Sequence, residues 1–377
     1  MQKIYFDNAA TTPIDKDVIS IMTQSMHEVF GNPSSTHQFG RKAKSLVENA
    51  RKNIAGFLNC SAGEIIFTAG GSEADNLILL NAVENLGVKR IISSAIEHHA
   101  VLHTVEMLQE KHKLKVDYVN LDEKGEIDLH HLEELLQDQS LKTLLSLMMV
   151  NNEIGNILDL EKISGLCKKY NTMFHSDTVQ GIAHTNIDLQ KTPIDFIAAS
   201  AHKFHGPKGV GFAYFKKGIG IQPILHGGEQ EKGARAGTEN IHSIIGMEKA
   251  MEIAFTNFEN DKKYIEGLKL YFINKLRENF EDIQFNGTSN VLDKSAFHIL
   301  NVRFPKEISM LLFNLDLKGI AASGGSACQS GSNKGSHVLN TILNEKEALK
   351  TSVRFSFSKY NTVEEVDFVI EELKKML

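Results

Sequence analysis

Lys203 is the residue of this sequence whose surroundings most clearly suggest chemistry. It follows the apolar, strand-like run Ile194 to Ala199 and comes just before a Gly-Pro turn at residues 206–207. An amine held between a buried strand and a close-packed turn is shielded from water, which favours its neutral, nucleophilic form. We therefore interpret Lys203 as a lysine that forms a Schiff base.

Asp177 and Gln180 follow a second strand-like run, residues 172–176. Side chains that leave the carboxyl ends of neighbouring parallel strands meet in one crevice, so we expect Asp177 within a cofactor's width of Lys203. A carboxylate beside a pyridinium nitrogen keeps that nitrogen protonated, and only the protonated ring is a strong electron sink. The alternative is that Asp177 merely caps a helix.

Residues 68–73 have the composition of a phosphate-binding turn. Gly70 and Gly71 let backbone amides approach a ligand, Ser72 adds a hydroxyl, and the helix that follows supplies partial positive charge at its N-terminus. The same residues also fit an ordinary capped turn. The sequence has neither a Walker loop nor a Gly-x-Gly-x-x-Gly fingerprint after a strand, which makes a nucleotide-binding protein a distant alternative.

Histidines cluster after the strand predicted at residues 90–93. The imidazole of His98 is placed to stack on a flat aromatic ring. The spacing of His98, His99 and His103, or of His202 and His205, would also suit zinc, but no carboxylate or cysteine pattern completes such a site. We therefore expect no intrinsic metal.

Cys328 lies in a segment, residues 323–335, that consists almost wholly of small and polar residues. Such a segment cannot bury a core, so we expect a mobile loop with an accessible thiol. Cys60 and Cys167 fall on apolar helix faces and are expected to be inert packing. Cys328 is therefore the candidate functional thiol.

Arg354 alternates with apolar residues in the strand-like run 351–356. A charge between buried neighbours needs an anion, and a planar guanidinium binds a carboxylate through two hydrogen bonds. Arg354 is thus a candidate for binding a substrate carboxylate, with a surface arginine as the alternative.

The elements that position these residues are predicted from the apolar patterns. Between residues 15 and 260 helical periodicity alternates with short β-rich runs, which predicts an α/β fold with a large, mostly parallel sheet covered by helices on both faces. A smaller α+β domain is expected from residues 1–14 and 261–377. The strands are predicted at 64–68, 90–93, 116–119, 143–150, 172–176, 194–200, 296–302 and 352–357, and helices at 47–58, 73–86, 241–277, 309–315 and 363–375.

Composition limits the classes of partner. The 377 residues are 42% apolar and carry a formal net charge of −6, which gives no reason to expect nucleic acid or an acidic membrane surface as the main partner. No apolar run is long enough to cross a bilayer, and the N-terminus lacks the layout of a signal peptide. Three scattered cysteines fit a reducing cytoplasm.

Together these residues resemble the cysteine desulfurases of the NifS/IscS type, which are fold-type I pyridoxal-phosphate enzymes of the class-V aminotransferase family. The resemblance extends over essentially the whole chain. It rests on the motifs YFDNAATT (5–12), GNPSS (31–35), NNEIG (151–155), SAHK (200–203) and GSAC (325–328), and on Arg354.

The resemblance implies a role for each candidate residue. Lys203 holds the cofactor as a Schiff base and moves the Cα proton, while Cys328 takes the sulfur as a persulfide. The cofactor, pyridoxal 5'-phosphate, and the cysteine carboxylate have the remaining expected contacts: Asp177 at the ring nitrogen, Gln180 at the ring hydroxyl, His98 on the ring face, Gly71, Ser72, Ser200 and His202 at the phosphate, Thr238 at the phosphate of the neighbouring subunit, and Asn32, Asn152 and Arg354 at the substrate carboxylate, with Asn152 also touching the cofactor.

The implied reaction converts L-cysteine to L-alanine in a homodimer with shared active sites. Sulfur would pass to an iron–sulfur scaffold, where Cys328 could share a cluster, or to a tRNA-thiolation protein. Two features depart from the family pattern: Gly71-Ser72 replaces the common Ala-Thr, and residues 329–335 are rich in glycine. A selenocysteine lyase or an aminotransferase on the same scaffold is the alternative, and a chain that acts mainly as a sulfur-relay partner is a third.

Overall fold

A computed structural model describes residues 3–325 and 335–377 of the chain. Cys328 therefore lies outside the described residues. In chain order the elements up to residue 215 are β1 (Ile4–Tyr5), α1 (Lys16–Glu28), α2 (Gln38–Phe57), β2 (Ile65–Thr68), α3 (Gly71–Leu80), β3 (Arg90–Ser93), α4 (His99–His112), β4 (Lys115–Tyr118), α5 (Leu129–Gln137), β5 (Thr143–Ser146), α6 (Leu160–Lys169), β6 (Met173–Asp177), β7 (Phe196–Ser200) and β8 (Gly211–Phe215).

The later elements begin with one long helix. They are α7 (Ile241–Asn279), β9 (Gln284–Phe285), β10 (Ile299–Arg303), α8 (Leu311–Leu317), β11 (Ile320–Ala321), α9 (His337–Ile342), α10 (Glu345–Ala348), β12 (Ser352–Ser356) and α11 (Val363–Met376). None of the helices in the described ranges has the length and apolarity needed to cross a membrane.

The large sheet has seven strands in the order β2-β8-β7-β6-β5-β3-β4. The five strands from β7 to β4 are parallel, and β8 joins β2 and β7 by antiparallel pairing. Every residue of β5 and β7 is buried, as expected of parallel strands that are covered on both faces. The predicted α/β class with a mostly parallel sheet is confirmed.

Two apolar cores cover the two faces of this sheet. One unites residues of α1, α2, α6 and the first part of α7 with one set of strand residues, and the other unites α3 and α4 with the alternate set. Because successive strand residues point to opposite faces, a short run such as β7 contributes to both cores. The strands are thereby held with their carboxyl ends at a common edge.

A smaller antiparallel sheet, β12-β10-β9, lies on the second half of α7 together with α11. The N-terminal strand β1 pairs with β11, and Asp7 bridges to Ser356 at the end of β12. The predicted strand at 296–302 begins only at Ile299, and the predicted boundary near residue 260 falls inside the unbroken helix α7. The division into two domains stays a prediction.

Candidate active site

A cavity opens at the carboxyl edge of the large sheet, where β5, β6 and β7 end beside the turn from β2 to α3. Its empty space is about 790 Å³, part of it open to solvent, which is in the range of small-molecule sites. Ten of the predicted site residues line it: Gly71, Ser72, His98, Asn152, Asp177, Gln180, Ser200, His202, Lys203 and Arg354.

Lys203 ends a short 3₁₀ turn, Ala201–Lys203, that follows β7 directly. Its Nζ donates hydrogen bonds to the carbonyl oxygens of Ala9 (2.7 Å) and Ala10 (2.9 Å). Ala9 and Ala10 also line the cavity, so their carbonyls hold the amine among the other lining residues. The predicted position of an amine at the end of a buried strand is therefore observed.

Asp177 is the last residue of β6 and is buried. Its Oδ1 accepts a hydrogen bond from the Val179 amide at 2.9 Å. Burial raises the pKa of this carboxyl to about 6, while the Val179 N–H and the charge of Lys203 act in the opposite direction. A carboxyl that is poised near neutral pH at the floor of the cavity is suited to a cationic partner.

Two further acids surround Asp177. Asp75, from the second turn of α3, lines the cavity, and Glu97 accepts a hydrogen bond from the Met148 amide at 2.9 Å. Burial raises the pKa of both carboxyls well above the usual range, and the negative charge of Asp177 raises them further. We infer that Asp75 and Glu97 are neutral at neutral pH and that Asp177 is the acid that ionises when a cation is near.

His98 stands at the N-terminus of α4 as its capping residue. Its Nδ1 accepts a hydrogen bond from the Ala100 amide at 3.1 Å, which leaves Nε2 as the protonated nitrogen of the neutral ring. Burial and then the nearby Lys203 charge lower the pKa of His98 to about 4. The ring is thus a neutral aromatic plate at the cavity wall.

The turn before α3 forms a concave backbone cradle on the other side of the cavity. Gly70 has a φ of 154°, and a Cβ on Gly71 would lie 2.5 Å from Cγ2 of Val179. Ser72, at the N-terminus of the ten-residue helix α3, lines the cavity with Ser200 and His202. Exposed amides, a helix N-terminus and hydroxyls are the donor set that a phosphate group needs.

Arg354, on β12, closes the cavity from the small sheet and is 1% exposed. Its Nη1 donates to the Asn152 carbonyl at 2.7 Å, and its Nη2 donates to Oδ1 of Asp7 at 2.8 Å. The buried Nε has no hydrogen-bond partner within the described residues. A buried guanidinium with an unused donor beside a cavity is suited to an anionic ligand.

Two predicted residues do not line this cavity. Asn32 lies in the turn before α2, where its Oδ1 accepts a hydrogen bond from the Ser34 amide at 2.9 Å. Thr238 lines a separate cavity together with Thr68 and Arg235. The role predicted for Thr238 was in a neighbouring subunit, and it stays a prediction, as do those of Asn32 and Cys328.

Other lining residues were not anticipated from the sequence: Ala9, Ala10, Asp75, Met148 and Val179. Asp75 carried a usable signal, because it lies four residues after Gly71 and therefore one helical turn further on the same face of α3. Ala9 and Ala10 carried none, since they act through main-chain carbonyls that any residue has.

Comparison with known proteins agrees with this geometry. The model of the aminotransferase class-V family matches residues 4–369. The chain is 39% identical to a cysteine desulfurase IscS from Dictyoglomus turgidum over 380 residues, which cover 100% of this chain and 95% of that protein. The chain belongs to the class-V aminotransferase family.

Solved structures of the same family have the same fold. A NifS-like protein superposes with a TM-score of 0.90 at 36% identity and covers 99% of both chains. SspA in complex with cysteine gives a TM-score of 0.80 at 31% identity, over 96% of this chain and 100% of that one. Cysteine desulfurases of this family depend on pyridoxal phosphate, so this is the cofactor of the chain.

The cavity fits pyridoxal phosphate on the evidence of its own residues. Asp177 lines the cavity where a pyridinium nitrogen could lie, and the flat face of His98 suits the ring. The cradle that a Cβ on Gly71 would fill suits the phosphate. Lys203 would hold the aldehyde carbon. When bound, the cofactor supplies an electron sink for carbanion chemistry at the substrate Cα.

Proposed function

We propose that this chain is a cysteine desulfurase that converts L-cysteine to L-alanine and transfers the sulfur to an acceptor. The observation that carries the proposal is one cavity lined by Lys203, Asp177 and Arg354, in a chain 39% identical over its full length to a cysteine desulfurase. Reaction at the Cα of an amino acid requires three groups: an amine to hold the cofactor, a carboxyl for its ring nitrogen, and a guanidinium for the substrate carboxylate.

Arg354 and Asn152 bind and orient the substrate in this proposal. The guanidinium receives the cysteine carboxylate, and the side chain of Asn152, whose buried Oδ1 has no partner among the described residues, stands beside it. Fixing the carboxylate directs the Cα–H bond towards the Nζ of Lys203. Lys203 then removes the Cα proton and later returns a proton to the product.

Cys328 is the proposed sulfur acceptor. Its thiol loses a proton, and the thiolate bonds to Sγ of the substrate while the Cβ–Sγ bond breaks. Cβ takes up one proton to give the alanine methyl group, which balances the proton that the thiol released. The products are alanine and a persulfide on Cys328, so that atoms and electrons balance without a further oxidant. The persulfide sulfur passes to an iron–sulfur scaffold or to a tRNA-thiolation protein.

We also propose a cytoplasmic homodimer. Thr238 lies away from the cavity of its own chain, as the expected contribution to a neighbouring subunit's phosphate site requires. Cys60 and Cys167 are free thiols, which fits a reducing compartment. Nothing in the charge of the chain favours nucleic acid or a membrane surface as a partner.

The first test is the reaction itself. Purified protein should show the visible absorbance of bound pyridoxal phosphate and should release sulfide and alanine in equal amounts when L-cysteine and a thiol reductant are added. Lys203→Ala should lose the absorbance of the lysine-bound cofactor and at least about 10³-fold in rate, because both the Schiff base and the proton carrier are removed.

Cys328→Ser separates the desulfurase from an aminotransferase or a selenocysteine lyase on the same scaffold. We expect it to keep the cofactor absorbance and lose sulfur transfer, whereas the matched variant Cys60→Ser, at a half-buried thiol, should behave as the wild type. An undiminished desulfurase rate in Cys328→Ser would contradict the persulfide step. A protein that stays colourless when pyridoxal phosphate is supplied would contradict the proposed function.

A further inference from the structure

A histidine next to the small sheet contacts Gln180, a residue that lines the cofactor cavity. His298, just before β10, is 2% exposed, and its Nε2 lies 3.4 Å from Oε1 of the buried Gln180. On its other side the amide nitrogen of Gln180 donates a hydrogen bond to the Ala9 carbonyl at 2.8 Å. The amide is thus held between His298 and the main chain of Ala9.

The chemistry of the partners fixes which way this amide points. A main-chain carbonyl only accepts hydrogen bonds, and Lys203 also donates to Ala9, so the atom of Gln180 that faces Ala9 must be its nitrogen. The oxygen then faces His298. Because an amide oxygen cannot donate, Nε2 of His298 must carry the proton.

The surroundings of His298 agree with a neutral ring of this tautomer. Its Nδ1 is buried and has no partner within the described residues, as fits a nitrogen without a hydrogen. The ring of His184 stacks on it with centroids 4.0 Å apart, and Lys269, Arg354 and Lys203 are the charged groups that face it. Burial and these cations lower the pKa of His298 well below its usual range.

Gln180 has a second amide hydrogen, and the side chain lines the cavity. Ala9 is its nitrogen's single protein acceptor in the described part of the chain. The remaining N–H is available to a ligand. A ligand group beside Gln180 must therefore accept a hydrogen bond rather than donate one. Without the His298 contact only the Ala9 carbonyl would hold the amide in this orientation, and the preference would be weaker, because the two ends of an amide differ little in size.

We propose that His298 is a positioning residue that, together with the Ala9 carbonyl, fixes the orientation of the Gln180 amide. The amide so held selects a ligand with a hydrogen-bond acceptor, the ring oxygen of pyridoxal phosphate in its anionic form. The proposal rests on the proposed function. Donation from Gln180 stabilises the oxygen anion, so that loss of the His298 contact raises the pKa at which the bound cofactor takes up a proton.

The experiment compares three variants by spectroscopic titration and cofactor affinity. His298→Phe keeps a flat ring but removes the donor, His298→Gln restores a donor, and His184→Phe keeps the stacked ring and leaves the donor in place. For His298→Phe we expect the spectrophotometric pKa of the cofactor to rise by about half a unit to one unit and its dissociation constant to rise about fivefold. His298→Gln should recover part of both shifts, and His184→Phe should match the wild type.

Melting of the cofactor-free variants shows which of them fold. Should His298→Phe fail to fold, His298→Asn repeats the test, because its shorter amide leaves the Gln180 oxygen without a donor. A folded variant with no donor at position 298 and an unchanged cofactor titration overturns the role of His298 alone. A wild-type protein with no cofactor absorbance overturns the proposed function instead.

Discussion

Asp177 illustrates a conflict between stability and function at a single residue. Burial raises its pKa to about 6, opposed by the Val179 N–H and by Lys203. As the pH rises from about 4 to 6, the unfolded chain loses this proton before the folded one does, so that stability falls across this window and stays lower above it. At neutral pH the cofactor-free protein therefore carries a buried charge that destabilises it.

Replacing Asp177 by asparagine should accordingly stabilise the cofactor-free protein while impairing cofactor chemistry. We expect the free energy of unfolding at pH 7.5 to rise by about 1 to 3 kcal/mol, measured by urea denaturation of the apoprotein, because the amide has no charge to desolvate. Turnover should fall by more than about 100-fold, since an amide does not keep a ring nitrogen protonated.

The exposed acid Asp293 provides the control for this prediction. Asp293→Asn should change neither quantity by more than a few tenths of a kcal/mol or a small factor, because an exposed carboxylate contributes little to stability. Lower stability of the Asp177→Asn apoprotein at pH 7.5 would show that the ionised carboxyl is better accommodated than its burial indicates. That result would contradict the charge assignment among Asp75, Glu97 and Asp177.

Site residues could be predicted where chemistry and strand ends coincide. Lys203 and Asp177 were found because apolar runs end directly before them, and both lie at the edge of the sheet as expected. His298 could not be found, since its neighbours in sequence are core residues and its contact with Gln180 spans 118 positions. A single sequence contains no trace of such a pairing.

The start of α3 is an element whose geometry depends on a missing side chain. A Cβ on Gly71 would lie 2.5 Å from Cγ2 of Val179, in the segment that follows Asp177. Gly71→Ala should therefore push the turn and the helix N-terminus away from the cofactor cavity. We expect about 1 to 3 kcal/mol of destabilisation and at least a tenfold weaker affinity for pyridoxal phosphate, measured by calorimetry on the apoprotein.

Gly165 in α6 is a matched helical glycine with open space around its Cβ position. Gly165→Ala should stabilise the protein by about 0.5 to 1 kcal/mol, because alanine loses less conformational entropy in a helix, and should leave cofactor affinity unchanged. Equal cofactor affinity in Gly71→Ala and the wild type would contradict the proposed phosphate cradle.

Elements were predicted well where burial and regular backbone pairing coincide, and less well elsewhere. The strand predicted to extend to residue 150 ends at Ser146. Residues 147–150 are buried as well and therefore have the same apolar pattern as the strand. The helix predicted over 73–86 changes to a π-helical turn at Asn81–Asn85. The Asn81 side chain there binds both backbone groups of Gln222, a contact remote in sequence.

At the scale of the whole molecule, α7 connects the two cores. Residues from Ile241 to Met251 belong to the core of the large sheet, and residues from Ile265 to Leu276 belong to that of the small sheet. Lys269 lies in this second half with no exposed surface. Its Nζ donates to Oγ of Ser295 and to the Ala296 carbonyl, each at 2.9 Å, and no carboxylate in the described ranges pairs with it.

Burial lowers the pKa of Lys269 from its ordinary value of 10.5 to about 7. Between about pH 7 and 10 the amine is therefore protonated in the unfolded chain and neutral in the folded chain. The wild type should gain stability across this window, and Lys269→Met should remove up to about 1.4 kcal/mol per pH unit of the slope in urea denaturation at successive pH values. Lys263→Met, on the exposed side of α7, should leave the slope unchanged. Parallel pH profiles for the wild type and Lys269→Met would mean that the amine stays charged between the two cores.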